Sequence, residues 1–367
     1  MKLKIEKDQL LETLQKVQSI VGQRTTLPIL SNVLLEAKKD KLIFTTTDME
    51  VTLCTSIDAD IQKEGETTLP ARRFFSICRD LPGHQVELTL DNENDGEVVT
   101  IISGSFKGKL SGLSKDDFPP IPQFQESFSY TIDQSVLKEL LQKTFYAAST
   151  DESRPILNGL LMSFKDDKLT VVATDGRRLA LIEQDIDIPE AGELDVVIPI
   201  KTSSELIKSL KIEGETKIKM SSTQIAFEFD NILIISKLID GTYPNYKQVI
   251  PSQCEERVSI DREILQSAVR RVSLMLDDQS SAVQMDILEN KIELSTSTPE
   301  IGNANEIIPV KYSGKEITIS FNPSFLIAPL KHLESDEIFI ELSDGASPGV
   351  IKSNIPFLYV LMPIRMN

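Results

Sequence analysis

The chain is poor in the residues that carry most enzyme chemistry. It has two histidines, His84 and His332, and no His-x-x-x-His or Cys-x-x-Cys pattern, so it carries no transition-metal signature. Its three cysteines, Cys54, Cys78 and Cys254, are widely spaced and odd in number. They read as reduced packing thiols, not as a disulfide framework. Glycine-rich phosphate loops are missing, and Gly104-Ser105-Phe106-Lys107-Gly108 lacks the Gly-x-Ser-x-Gly spacing of a nucleophile elbow. Acidic residues abound, but no carboxylate pair stands out as a hydrolytic site. No apolar run reaches the roughly 18 residues of a membrane span, and the charged, alternating start from Met1 to Leu10 does not read as a signal peptide. These absences predict a soluble, cytoplasmic protein that uses no cofactor and no metal and is not an enzyme. Positive charge is also scarce: 39 Lys and Arg stand against 56 Asp and Glu, a net charge of -17. That balance argues against an ordinary basic nucleic-acid binder. Net charge is an average, however, and an acidic exterior can surround a basic interior.

What the chain does have is internal repetition. Pro28-Ile29-Leu30 returns as Pro155-Ile156-Leu157, Lys41-Leu42 as Lys168-Leu169, and Thr47-Asp48 as Thr174-Asp175, all at one offset of about 127 residues. Ile5 and Leu10 return as Ile132 and Leu137. A third, more diverged copy starts near Ile260-Asp261, which echoes Ile132-Asp133, and its Met285 to Leu294 echoes Met162 to Val171. Units of this length are domains in their own right, not solenoid repeats. We place three domains at 1–124, 125–253 and 254–367.

Each copy has the same order of elements. A short alternating strand (Leu3 and Ile5, or Tyr130 and Ile132) precedes an amphipathic helix, such as Leu10, Leu11, Leu14 and Val17, or Val136, Leu137, Leu140 and Leu141, or Ile264, Leu265, Ala268, Val269 and Val272. Asp133 and Asp261 stand where a side-chain oxygen can cap free amides. Alternating strands follow at Val33 to Leu35, Leu42 to Thr46 and Val51 to Ser56, with counterparts at Leu160 to Phe164, Leu169 to Ala173 and Leu179 to Gln184. Asp166-Asp167 and Glu289-Asn290 read as turns. Second helices are predicted at Arg72 to Leu81, Thr202 to Leu210 and Pro323 to Leu333, and further strands at Val86 to Leu90, Lys217 to Met220 and Ile338 to Leu342. The proline-bearing stretches Pro119 to Gln123 and Pro244 to Gln253 read as linkers. The expected fold is α+β, three similar domains, each with two helices packed on antiparallel sheets.

The copies agree on one kind of charge. Lys16, Lys143 and Arg271 fall at one position of the first helix, Arg72 aligns with Lys201, and Arg79 with Lys208. A cation repeated in so acidic a chain suggests a surface that meets phosphates without reading bases. They disagree elsewhere. Asp48-Met49-Glu50-Val51 of the first copy becomes Asp175-Gly176-Arg177-Arg178-Leu179 in the second, and the third ends in Tyr359-Val360-Leu361-Met362-Pro363-Ile364-Arg365. The second-copy segment could be a hairpin turn with exposed charges, or a specialised site where the copies diverge. The tail could be a core strand, or one side of a groove that receives partner peptides, a use that suits methionine.

Several segments together carry a family resemblance: Arg24 with Thr26-Leu27-Pro28-Ile29-Leu30, Pro70-Ala71-Arg72-Arg73-Phe74-Phe75, Asp117-Phe118-Pro119, Leu157-Asn158-Gly159, Ala173-Thr174-Asp175-Gly176, and Ser236-Lys237-Leu238 with Asp240-Gly241. Along its whole length the chain resembles the bacterial DNA polymerase III beta-subunit family of DNA clamps. The resemblance implies a clamp fold and a ring-forming, head-to-tail homodimer. Such a dimer encircles double-stranded DNA without sequence preference and tethers the replicative polymerase for processive DNA replication. It implies no cofactor and no catalytic residue. Its partners would be the DNA polymerase III alpha subunit, the clamp loader, and other polymerases and DNA repair proteins, engaged through a motif like Gln-Leu-x-Leu-Phe.

The expected DNA contacts are the repeated cations Lys16, Arg72, Arg79, Lys143, Lys201, Lys208 and Arg271, with Arg24 from the resembling segment. By the same resemblance, the partner groove is formed by Leu157, Thr174, Gly176, Arg177, Leu179, Pro244, Val249, Val360, Met362, Pro363 and Arg365. The dimer interface includes Leu110, Leu274 and Met275. Arg177 stands where a His is common in the family, Gln248 where a basic residue is common, and Gly108 where a Phe is familiar.

Overall fold

A computed structural model describes residues 1–22, 27–91, 97–122, 124, 128–188, 193–277 and 282–365. The chain divides into two compact units, Met1–Lys138 with Lys201–Leu238, and Glu139–Ile200 with Ile239–Asn367. Six helices are described: α1 (Lys7–Val17), α2 (Ala71–Arg79), α3 (Gln134–Gln142), α4 (Ile200–Ser209), α5 (Arg262–Val272) and α6 (Pro323–Leu330).

In the first unit α1 forms where the sequence predicts it. Leu10, Leu14 and Val17 bury one face, with Asp8 in the first turn and Lys16 in the last, each sign at the dipole end that favours it. It packs beside α2, which buries Ala71, Phe74 and Cys78. Burial pushes the Cys78 thiol up to about 12, which leaves it a protonated, inert packing group. One sheet of five strands runs in the order Asp60–Lys63, Lys2–Glu6, Gln85–Asp91, Val98–Ser103, Phe106–Ser111. A second sheet of eight strands runs Phe128–Asp133, Glu215–Met220, Gln224–Phe229, Ile232–Lys237, Val51–Asp58, Lys41–Thr47, Asn32–Lys38, Gly65–Pro70. Four of its strands belong to the second repeat and four to the first. The seam between the copies is a backbone ladder, Ile232–Lys237 against Val51–Asp58.

The second unit repeats the plan. Its eight-stranded sheet runs Leu194–Pro199, Gly159–Lys165, Lys168–Thr174, Arg178–Asp185, Phe357–Leu361, Gly349–Lys352, Glu337–Leu342, Glu256–Asp261. Here strands of the second and third repeats join at Arg178–Asp185 and Phe357–Leu361. A four-stranded sheet follows the order Gly302–Pro309, Lys291–Thr298, Val283–Leu288, Ile317–Phe321. Helices α5 and α6 pack together. The Asp261 carboxylate accepts from the Ile264 amide as the sequence anticipates. Asn322 does the same for α6, accepting from Ser324 and Phe325. The expected turns are tight: Asp166, Asp167 and Asn290 all take positive φ, the left-handed conformation that Asp and Asn tolerate better than most. Every strand pairing described is antiparallel, as the sequence predicts.

Candidate functional site

The divergent turn of the second repeat is stitched by its own side chains. Asp175 accepts from the amides of Arg177 and Arg178 at 2.9 and 3.0 Å, and its second oxygen meets the Arg178 Nε at 3.0 Å. The Thr174 hydroxyl donates to the Arg178 carbonyl and accepts from the Gly176 amide. Gly176 has φ +85°, which a side chain with a Cβ would resist. The Arg178 guanidinium lies 4.3 Å from the centre of the Phe325 ring, a cation–π contact. Its charge lies near Tyr359, whose hydroxyl donates to the Phe325 carbonyl at 2.8 Å. The turn is thereby anchored to α6.

From this turn the strand Arg178–Asp185 runs beside Phe357–Leu361, with Leu179 opposite Val360 and Leu181 opposite Leu358. Leu179 and Val360 belong to a buried cluster with Leu161, Val172 and Val197. Ile156, Leu181, Ile239, Tyr243, Tyr246, Ile250 and Leu358 pack against it, only partly covered. A hollow of about 470 Å³ continues along the same strand pair, with Leu181, Tyr246, Ile250, Phe357 and Leu358 among its lining and Glu183, Lys247 and Lys352 at its charged margin. At the other end the Met362 amide donates to the Arg177 carbonyl at 3.0 Å, which fixes the tail beside the turn. Met362 is exposed, Pro363 half-buried and Arg365 exposed.

All the expected groove residues therefore lie on segments that meet at this strand pair. Leu157 is buried at the end of the Pro155–Leu157 turn, next to Ile156 of the cluster rim. Pro244 and Val249 are exposed on the segment that presses Tyr243, Tyr246 and Ile250 onto it. The sequence reading missed Leu181, Tyr246, Ile250 and Leu358. The signal was available for two of them: alternation puts Leu181 on the face of Leu179, and Leu358 on the face of Val360.

The expected DNA-contacting cations are mostly engaged with carboxylates. Lys16 meets Glu12 at 2.7 Å, one helical turn away. Lys208 meets Glu205 at 2.9 Å, and Arg79 meets Asp80 at 3.2 Å. The Arg271 Nε donates to Glu306 at 2.9 Å and holds that carboxyl below its usual range. Lys201 bonds to Asp48 and to the Ile20 carbonyl, and Arg72 donates to the Val21 carbonyl. Lys143 differs from its repeat partners: its side chain is 6% exposed and paired with Glu139, so its ammonium is turned inward. Arg24 lies outside the described residues.

Of the expected interface residues, Leu274 and Met275 are exposed at the end of α5, whereas Leu110 is already buried in its own sheet. Phe106 and Ile307, which the sequence reading did not single out, are exposed apolar side chains on the outermost strands Phe106–Ser111 and Gly302–Pro309. Among the described residues there is no cluster of His, Cys, Asp or Glu fit to hold a metal ion, and no helix is long and apolar enough to cross a membrane.

Comparison with known proteins gives one consistent answer. Family models of the DNA polymerase III beta subunit match in order: the N-terminal domain over residues 1–122, the central domain over 131–245 and the C-terminal domain over 247–365. A beta sliding clamp of Chlamydia muridarum is 34% identical, with all of both chains covered. Among solved structures, the Bacillus subtilis DNA polymerase sliding clamp matches with a TM-score of 0.95 at 32% identity, over all of both chains. A sliding clamp from Bartonella birtlesii, solved bound to griselimycin, matches with a TM-score of 0.95 at 35% identity, again over all of both chains.

Proposed function

The chain belongs to the family of DNA polymerase III beta subunits, the sliding clamps, and from that premise we propose which of its parts perform the clamp's work. A sliding clamp is a processivity factor. It encircles duplex DNA and keeps the replicative polymerase on its template, and the catalysis belongs to the polymerase it tethers. The three repeats, 1–124, 125–253 and 254–367, serve as its three domains. It acts in the cytoplasm as a head-to-tail homodimer, joined through the strands Phe106–Ser111 and Gly302–Pro309, with Leu274 and Met275 beside the joint. Such closure removes two sheet edges that would otherwise invite aggregation. Lys16, Arg72, Arg79, Lys201, Lys208 and Arg271 face the duplex. Lys143, buried on Glu139, serves the fold.

The groove along Leu179 and Val360 receives the partners. The observation that carries this reading is an incompletely covered apolar floor between two segments pinned by hydrogen bonds, the Asp175 turn and the Met362 tail. A short peptide of the type Gln-Leu-x-Leu-Phe suits such a floor, with Leu and Phe in the apolar hollows and Gln on the backbone edges. The polymerase alpha subunit, the clamp loader and repair proteins would all present it. The test is a fluorescence-anisotropy titration of a labelled peptide against the full chain and against one ending at Val360. Saturable binding should weaken at least about tenfold in the truncated chain, a loss of about 1.4 kcal/mol, while circular dichroism stays unchanged. A folded full chain that does not bind the peptide would remove the groove assignment.

A further inference from the structure

The seam between the second and third repeats carries more chain than the seam between the first and second. At the first seam, the hairpin that supplies Ile232–Lys237 turns through Asp230 and Asn231 alone, between the facing pair Phe229 and Ile232. At the second, the hairpin that supplies Phe357–Leu361 runs through Ser353 to Phe357 between the facing pair Lys352 and Leu358. Ile355 and Phe357 of this longer loop line the hollow of about 470 Å³, together with Tyr246 and Ile250 of the linker and Leu181 and Leu358 of the strand pair. The Glu183 amide donates to the Pro356 carbonyl at 3.2 Å, which ties the loop to the neighbouring strand. The hollow is therefore built by a segment that the second seam has and the first does not.

Its position names the occupant. Leu181 and Leu358 lie two residues along their strands from Leu179 and Val360, on the same face of the sheet, and two residues of strand advance about 7 Å. A bound peptide in extended form advances by the same amount and presents alternate side chains to the same face. The Gln of the core motif needs polar backbone, which the Asp175 turn and the Met362 tail supply. The motif therefore runs from that end toward the hollow, with its Phe nearest to it. We propose that the hollow is a further subsite of the partner groove, and that it takes an apolar side chain two residues beyond the Phe of the motif, followed by an acidic residue. The proposal deepens the groove reading above and rests on it.

The charges at the margin supply the second half of the proposal. Glu183 lies 3.6 Å from Lys168, and Lys352 lies 2.7 Å from Glu341. Lys247 is exposed, and among the described residues it forms no ion pair. A carboxylate that follows the buried apolar side chain thus meets an uncommitted ammonium where the peptide leaves the hollow. The two contacts differ in kind. Covering the apolar lining contributes most of the affinity, whereas an ion pair at a wet margin adds little strength and acts mainly on the choice of partner.

Fluorescence anisotropy on the full chain tests the subsite with labelled peptides amidated at the C-terminus. The core Gln-Leu-Ser-Leu-Phe is compared with the same core continued by Gly-Leu-Glu and by Gly-Ser-Ser. The Gly-Leu-Glu peptide should bind about tenfold tighter than the other two. Continuation by Gly-Leu-Lys should forfeit about threefold of that gain. In the Ile355→Asp chain most of the gain should vanish, and because the quantity read is a ratio of affinities on one chain, any change to the floor cancels. Lys247→Glu alters an exposed side chain and should reverse the preference between the Glu and Lys ends. A core that binds while every continuation merely matches it overturns the subsite, leaves the groove standing and assigns the hollow to another occupant. A core that does not bind to the folded chain overturns the groove and the subsite together. An unchanged ratio in the Ile355→Asp chain would place the added Leu elsewhere on the surface and overturn the subsite. An unchanged end preference in the Lys247→Glu chain would overturn the acidic residue.

Discussion

At the scale of single residues, the chemistry concentrates around the second and third repeats, and His332 reports on it. Its imidazole stacks on Tyr146 at 4.8 Å and meets Phe145 edge-on at 5.5 Å. Burial, with a smaller push from the neighbouring Lys331, holds its pKa below the ordinary 6.5. The sign follows from linkage. A base with a depressed folded pKa is protonated more readily in the unfolded chain, so stability is full above about pH 6.5 and falls as pH drops toward the folded pKa. The urea midpoint should therefore decline between about pH 7 and about pH 5, and His332→Phe, which keeps a stacking ring without a titrating group, should remove part of that decline. An unchanged slope in the variant would place the pH dependence on other groups. The sequence marked His332 only as one of two histidines, because its stack depends on Tyr146, which lies far away in the chain.

At the scale of elements, much was legible. Alternation located the strands around Val33, Leu42, Val51, Leu160, Leu169 and Leu179, and the 3.6-residue period located α1 and α5, because a half-buried strand and a one-faced helix each impose their period on the chain. Which strand lies beside which was not legible. That Ile232–Lys237 would pair with Val51–Asp58 depends on edges left open by two separate repeats, and no local pattern encodes it. The divergent turn was found because it broke the repeat, yet its bond to α6 through Arg178 and Phe325 was invisible. That bond makes the N-terminus of α6 a support of the groove. Asn322 accepts from the Ser324 amide at 2.9 Å, and Pro323 opens the helix behind it, where a missing N–H costs nothing. Asn322→Ala should lower stability by about 1 kcal/mol, measured by urea denaturation. It should also loosen Phe325 beneath Arg178, so peptide affinity at the Leu179 floor should fall with it. Loss of stability with unaltered peptide affinity would uncouple α6 from the groove.

At the scale of the whole molecule, the task is to hold DNA without gripping it, and the pairing of the cations suits that task. A chain of net charge -17 gains a DNA-facing surface only by placing cations locally, and the positions proposed for them come from the repeats. Their partners were not legible, since Arg271 meets Glu306 through the fold. A lysine already bonded to a carboxylate must exchange that partner for a phosphate, so it contributes less than a free cation, and the interaction stays weak enough to slide. Lys16, Lys208 and Arg271 keep part of their side chains exposed while paired, whereas the Lys143 side chain is buried against a half-exposed Glu139. Binding to a duplex fragment, followed by anisotropy over a range of salt, distinguishes them. Replacing Lys16, Lys208 and Arg271 together by Gln should flatten the dependence of log affinity on log salt, by less than the roughly 0.9 that each fully free phosphate contact would add. Lys143→Gln should leave that slope alone and lower stability instead, because the buried lysine side chain loses its packing and its bond to Glu139. A triple variant with the native slope would mean that the duplex meets other residues. A Lys143 variant with a flattened slope would mean that this ammonium turns outward when DNA is present.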